Sequence, residues 1–155
     1  MPADTATAKQ DVTSLEVRRI IRAPRERVFQ AWTTPADVKR WSAPGPIEVV
    51  LSEIDLRVGG RYRLEMREPN GTPHDAYGEY REIDPPRRVV YTWNWVQEPD
   101  VRDTVVTVEF HDLGAHGTEV VLRHDGLTKR QAESHTGGWS SILEKLDNAV
   151  SPLPK

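Results

Sequence analysis

Thr128 to Val150 reads TKRQAESHTGGWSSILEKLDNAV, and its periodicity decides what the rest of the chain has to build. Ala132, His135, Trp139, Ile142, Leu143, Leu146 and Val150 recur at three- and four-residue spacing, which puts them on one stripe of a long helix. Thr128 with Gln131 is a capping-box start, in which side chains satisfy the orphan N–H groups of the first turn. Ser151-Pro152 ends the helix, because proline cannot continue the ladder. Gly137-Gly138 interrupts the middle. Each glycine there costs about 1 kcal/mol against alanine, which predicts a close backbone approach, a kink, or room left for something beside Trp139. A break joining two shorter helices is the plainer alternative.

One long amphipathic helix needs an apolar surface to lie on, and the preceding sequence supplies strands. Leu15–Ala23 is rich in β-branched residues and reads as a first strand. Pro24 opens a helix, a role proline suits at the first turn, with Val28, Ala31 and Trp32 on its apolar face. Thr34-Pro35-Ala36-Asp37 opens a second short helix with a cap, a first-position proline and an acid three residues after the cap. It ends near Trp41, and Ala43-Pro44-Gly45-Pro46 marks a loop. From Ile47 the chain reads as a β meander. Strands are expected at Ile47–Leu56, Arg61–Glu68, Ala76–Ile83, Arg88–Trp95, Thr104–Phe110 and Thr118–His124. Arg61–Glu68 alternates cleanly, with Tyr62, Leu64 and Met66 on one face and charged residues on the other. Tyr91, Trp93 and Trp95 share a face, as do Val106, Val108 and Phe110. Val58-Gly59-Gly60, Pro69-Asn70-Gly71, Asp84-Pro85-Pro86 and Leu113–Gly117 are turns. Residues 97–102 form a polar loop, and Asp125-Gly126-Leu127 leads into the long helix. Strands in succession followed by a helix predict α+β: about six to seven antiparallel strands wrapped around the C-terminal helix, with two short helices after the first strand.

The 155 residues fit one domain, here 15–151 after a polar tail at 1–14. There is no cysteine, hence no disulfide, thiolate nucleophile or cysteine metal site. The start of the sequence lacks both the basic and the apolar segment of a signal peptide. No stretch is long and apolar enough for a membrane span. A cytoplasmic protein is therefore expected. Net charge is −3, from 21 basic and 24 acidic residues with interleaved signs, which argues against nucleic acid as a partner.

The order of elements and several local patterns resemble the START-like superfamily, also called SRPBCC or Bet v-like, with its helix-grip fold. Within it the sequence is most similar to the bacterial proteins like the C-terminal domain of the Hsp-90 ATPase activator Aha. The resemblance rests on Arg22-Ala23-Pro24, Val28-Phe29, Ala31-Trp32-Thr33, Pro35 and Trp41. It continues through Asp55–Tyr62 (DLRVGGRY), Gly78-Glu79-Tyr80, Ile83–Pro86 (IDPP) and Thr92-Trp93, and closes with Gly138-Trp139, Leu143 and Leu146. It spans residues 15–150. The resemblance implies a hydrophobic pocket between sheet and helix, which in relatives holds lipids, hormones, polyketides or other apolar molecules. A minority of relatives are enzymes, such as aromatase/cyclases. Eukaryotic Aha proteins carry an additional N-terminal domain where this sequence has a 14-residue tail, so chaperone stimulation is the weaker expectation.

Residue by residue, any single aromatic here is explained by core filling. As a group, Trp41, Tyr62, Tyr80, Tyr91, Trp93, Trp95 and Trp139 exceed what a sheet-plus-helix core needs, which predicts an aromatic-lined pocket. The expected ligand-binding residues on the sheet are Tyr62, Leu64, Met66, Tyr80, Trp93 and His124. Those on the helix are His135, Trp139 and Leu143. Trp41 and the Gln97–Arg102 loop lie near the mouth. His124 or His135 could serve as acid or base, since imidazole titrates near neutrality, but a hydrogen-bonded histidine at a core edge explains each more simply. Glu48, Glu53, Glu65, Glu79 and Glu109 alternate with apolar residues and read as solvent-facing. There is no HExxH, no GxSxG and no phosphate-loop pattern, so no metal or cofactor is expected. The predicted function is binding of a small apolar or aromatic molecule. A cyclase or dehydratase in the same pocket, or stimulation of the Hsp-90 ATPase, is the alternative. A homodimer is a further partner allowed for.

Overall fold

The computed structural model describes residues 12–151. Strand β1 (Val12–Ile21) leads into two short helices, α1 (Arg25–Thr33) and α2 (Pro35–Trp41). Six strands follow: β2 (Glu48–Ile54), β3 (Arg61–Arg67), β4 (Pro73–Asp84), β5 (Arg88–Trp95), β6 (Thr104–Asp112) and β7 (Thr118–Thr128). A single 3₁₀ turn, Gly114–His116, precedes β7, and α3 (Lys129–Val150) closes the fold. The strands form one antiparallel sheet in the order β1-β7-β6-β5-β4-β3-β2. This is the α+β helix-grip arrangement the sequence predicts, with a sheet of seven strands.

The capping box is present: Gln131 N–H donates to the Thr128 hydroxyl, and the Gln131 side chain accepts from Thr128 N–H. The helix runs unbroken through Gly137-Gly138. Neither glycine permits a close backbone approach. A Cβ at Gly137 would meet nothing within 4 Å, and one at Gly138 would meet only the Pro44 ring at 3.9 Å. The stripe of Ala132, Trp139, Ile142, Leu143, Leu146 and Val150 is buried against the sheet. Each large aliphatic side chain removed from water there contributes about 1.5–3 kcal/mol.

Asp147 fixes where the helix lies. It occupies the same buried stripe. Its carboxylate accepts from the backbone N–H of Arg22 at 3.1 Å, and from the guanidinium groups of Arg22 and Arg19. The end of β1 is thereby tied to the last turns of α3. On the other side, Lys145 donates to the carbonyls of Ala43 and Gly45, and Gly45 N–H donates to the Ser141 hydroxyl at 3.0 Å. These bonds hold the 43–47 loop against the helix. The Val58-Gly59-Gly60 turn is also pinned. Gly59 N–H donates to Tyr80 O and Tyr80 N–H to Gly60 O, both at 2.9 Å. A Cβ at Gly60 would sit 2.1 Å from Asp55 O, so only glycine fits.

Three local expectations change. Residues 12–14 of the expected tail are strand, since β1 begins at Val12; residues 1–11 of that tail lie outside the described residues. β7 continues through Asp125-Gly126-Leu127 to Thr128. Leu127 is fully buried and pairs with Thr13, while Gly126 takes φ +92° where the register shifts, which is a glycine-accommodated bulge. At the start of α2, Pro35 holds the first position, but the Thr34 side chain makes no capping bond. Asp37 turns instead to the Arg27 guanidinium, at 3.1 and 3.3 Å.

Candidate functional site

Strand alternation delivers a continuous aromatic wall to the helix. Tyr62 and Leu64 on β3, Tyr80 on β4, and Tyr91 and Trp93 on β5 all point inward and are buried. Their packing depends on Gly78. A Cβ there would lie 2.0 Å from Thr92 O and 2.7 Å from the Tyr62 ring. With no Cβ, Tyr62 lies across β4 and its hydroxyl donates to the carbonyl of Thr92. Tyr62 packs against Tyr91 and Tyr80 at ring separations of 5.3 and 5.7 Å. Burial pushes the hydroxyl pKa of Tyr62, Tyr80 and Tyr91 up, so all three stay neutral.

Two adjoining cavities lie between this wall and α3. The inner one is bounded by the tyrosines and Leu64 of the sheet, by Trp32, Val38 and Trp41 of the short helices, and by Ile54. Its volume is about 30 Å³, room for a water or two. The outer one is about 170 Å³. Met66, His74 and Trp95 form its sheet side; His135, Gly138 and Ile142 its helix side. Pro44 and Ile47 border it, and the exposed Glu98 and Ser134 lie on its rim. Ser42, Trp93 and Trp139 line both cavities and form the partition between them. Trp93 and Trp139 meet edge to face, with centroids 5.3 Å apart.

Of the ten expected ligand-binding residues, eight border these spaces. Trp41, Tyr62, Leu64 and Tyr80 line the inner cavity, Met66 and His135 the outer, and Trp93 and Trp139 both. His124 and Leu143 line neither, each packed fully inside the core. Trp41 stands in the inner wall, its indole N–H donating to Ala31 O at 3.0 Å, rather than at the mouth. The expected polar loop 97–102 folds back through Val101, which is fully buried, and contributes Glu98 to the rim. Trp32, which reads as helix core, Ser42, which follows a helix end, and His74, which lies outside the expected strands, are among the lining residues that carry no sequence signal of this role. Gly138 does carry one, as the mid-helix glycine beside Trp139.

His124 and His135 act as acceptors for tryptophan. Trp139 donates its indole N–H to His124 Nδ1 at 3.1 Å. His124 Nε2–H then donates to the Thr104 hydroxyl at 2.8 Å, and that hydroxyl donates to Trp93 O at 2.7 Å. Trp95 donates to His135 Nε2 at 2.9 Å, and His135 Nδ1–H donates to Gln131 O at 2.8 Å. In each imidazole one nitrogen accepts and the other donates, in opposite senses in the two rings, so both nitrogens are engaged. Burial first, and the neighbouring His135 second, push the His124 pKa down to about 3. The rings of His124 and His135 stand 5.4 Å apart.

Trp93 and Ser42 differ from these. Trp93 Nε1 and Ser42 Oγ are buried and have no hydrogen-bond partner. Among the described residues, no group of three or more His, Cys, Asp or Glu side chains converges to hold a metal ion. No helix among them is long and apolar enough to cross a membrane.

The family model of the activator of Hsp90 ATPase homolog 1-like proteins matches residues 22–151. Comparison with curated proteins gave no match. Among solved structures, a protein of Chromobacterium violaceum is 26% identical with a TM-score of 0.80, the match covering 90% of this chain and 98% of that one. The AHSA1-like protein of Aeromonas hydrophila is 26% identical with a TM-score of 0.77, over 89% of this chain and 92% of that one. With its helix-grip sheet, its aromatic wall and a family match spanning nearly all the described residues, the chain belongs to the activator of Hsp90 ATPase homolog 1-like family of the START-like superfamily.

Proposed function

We propose that the protein reversibly binds a small apolar molecule, about the size of one aromatic ring, in the outer cavity. The observation that carries this reading is the open space of about 170 Å³ against Trp93, Trp95, Trp139 and Met66. An apolar cavity of about 150 Å³ takes up benzene, so the volume suits a single ring. Binding derives from apolar surface withdrawn from water, at roughly 25 cal/mol per Å² before association costs. Those costs set the affinity of so small a ligand in the micromolar-to-millimolar range.

Native mass spectrometry of freshly purified protein, followed by titration of tryptophan emission with acetophenone, tests the reading. The expected result is saturable quenching above the linear collisional background. Gly138→Leu fills the cavity with a side chain while relieving the helix of a glycine penalty of about 0.8 kcal/mol, so it abolishes saturation in a protein no less stable. Gly137→Ala, whose Cβ meets nothing within 4 Å, is the matched control and binds as the original does. Purely linear quenching in all three proteins contradicts the proposal.

The family description itself carries a second reading, stimulation of the Hsp90 ATPase. Its check is the ATPase rate of the purified chaperone with and without this protein; an unchanged rate at saturating protein sinks it. Acid-base catalysis by His124 or His135, the enzyme alternative, requires one of the hydrogen bonds that occupy both imidazoles to open first.

A further inference from the structure

The partition between the cavities carries the chemistry of a more specific ligand, an inference that rests on the binding reading above. Each of the five tryptophans is largely withdrawn from water, and four have an indole partner. Trp32 donates to the Tyr91 hydroxyl, Trp41 to Ala31 O, Trp95 to His135 and Trp139 to His124. Trp93 alone, 4% exposed, has none. The Ser42 hydroxyl, on a residue 7% exposed, is in the same condition. Both line both cavities, and among the described residues no other buried side-chain polar atom without a partner belongs to a lining residue. A buried donor with no acceptor is destabilising, and native proteins pair such groups with protein, water or ligand.

Charge limits what can supply the acceptor. Among the described residues, no Lys or Arg lines either cavity. The ionisable side chains lining the outer one are Glu98 on its rim, His135, and His74, whose Nε2 lies 2.6 Å from Glu68 Oε2. A carboxylate ligand would meet the Glu98 carboxylate and no Lys or Arg. We propose that Trp93 Nε1 and Ser42 Oγ form a hydrogen-bonding subsite that selects a neutral single-ring molecule bearing a hydroxyl or carbonyl oxygen, the oxygen accepting from the Trp93 indole. The serine can donate to a carbonyl or accept from a hydroxyl, so phenols and aryl ketones both satisfy the pair.

Phenol and toluene have nearly the same shape and differ by a hydroxyl in place of a methyl group. Burial alone favours toluene, whose methyl group gains more on leaving water. Isothermal titration of the full chain with toluene, phenol, acetophenone and benzoate therefore separates the contributions. The expected result is phenol binding tighter than toluene by roughly tenfold, acetophenone binding with phenol, and benzoate weakest. In Ser42→Ala and in Trp93→Phe, each checked for an unchanged far-ultraviolet dichroism spectrum, the lead of phenol over toluene shrinks or reverses. Toluene binding as tightly as phenol, or a phenol lead unchanged in both variants, overturns the subsite and leaves an apolar pocket whose polar atoms are satisfied by water. Saturation by none of the four compounds overturns the binding reading and the subsite together.

Discussion

His124 and His135 have the residue type of an acid-base pair, and their hydrogen bonds give them another use. Each orients a tryptophan that borders the outer cavity, Trp139 and Trp95 respectively. The position of His124 on the inward face was legible from strand phase. Its role was not, because alternation says which way a side chain points and nothing about the partner it meets across the core. Ser42 and Trp32 escaped for the same reason: their place in the cavity wall depends on how two short helices dock. The His124 site has a pH consequence. Its folded pKa, about 3, lies below the ordinary value near 6.5. The unfolded chain thus takes up a proton that the folded site refuses, and the stabilisation is complete above pH 6.5 and lost as pH falls. Urea unfolding should show stability dropping by up to about 1.4 kcal/mol per pH unit between pH 6.5 and 5. His124→Gln, less stable at pH 7, should have a flatter dependence over that window. Equal slopes in the two proteins would remove His124 as the cause.

At the scale of elements, the long helix and the meander were readable because burial imposes periods of 3.6 and 2 on the sequence. The cap at Thr128 and Gln131 followed from local chemistry alone. The extension of β7 across Asp125-Gly126-Leu127 was hidden because a glycine bulge resembles a turn until its partner strand is known. Asp147 was hidden too. An acid on an apolar stripe looks out of place until Arg19 and Arg22 arrive from β1. The Asp147 side chain is 4% exposed and those of Arg19 and Arg22 are 38% and 45% exposed. Partial solvation of the arginines puts the effect below that of a fully buried pair. Asp147→Ala should lose about 2 kcal/mol in urea unfolding, much of it from the stranded N–H of Arg22. Asp147→Asn, which retains an acceptor for that N–H, should lose about half as much. A loss below about 0.5 kcal/mol in the alanine variant would mean that the helix is held by its apolar stripe alone.

Across the whole molecule, the sheet curls around a helix, and the aromatic residues between them leave part of the gap open. Counting aromatics foresaw a lined space between sheet and helix. It foresaw neither the partition by Trp93 and Trp139 nor the small volume, since both depend on rotamers and ring angles set in three dimensions. The mid-helix glycine at 138 marks the wall where a side chain is left out. The most direct test of binding at that wall is the ¹H–¹⁵N spectrum of the five indole N–H groups during a phenol titration, with each signal assigned by Trp→Phe substitution. The Trp93, Trp95 and Trp139 signals should shift together and saturate, with Trp93 moving downfield as its N–H gains an acceptor. The Trp41 signal, tied to Ala31, should stay in place. Indole signals that do not move, or that all drift linearly without saturation, would contradict a binding cavity between the sheet and the C-terminal helix.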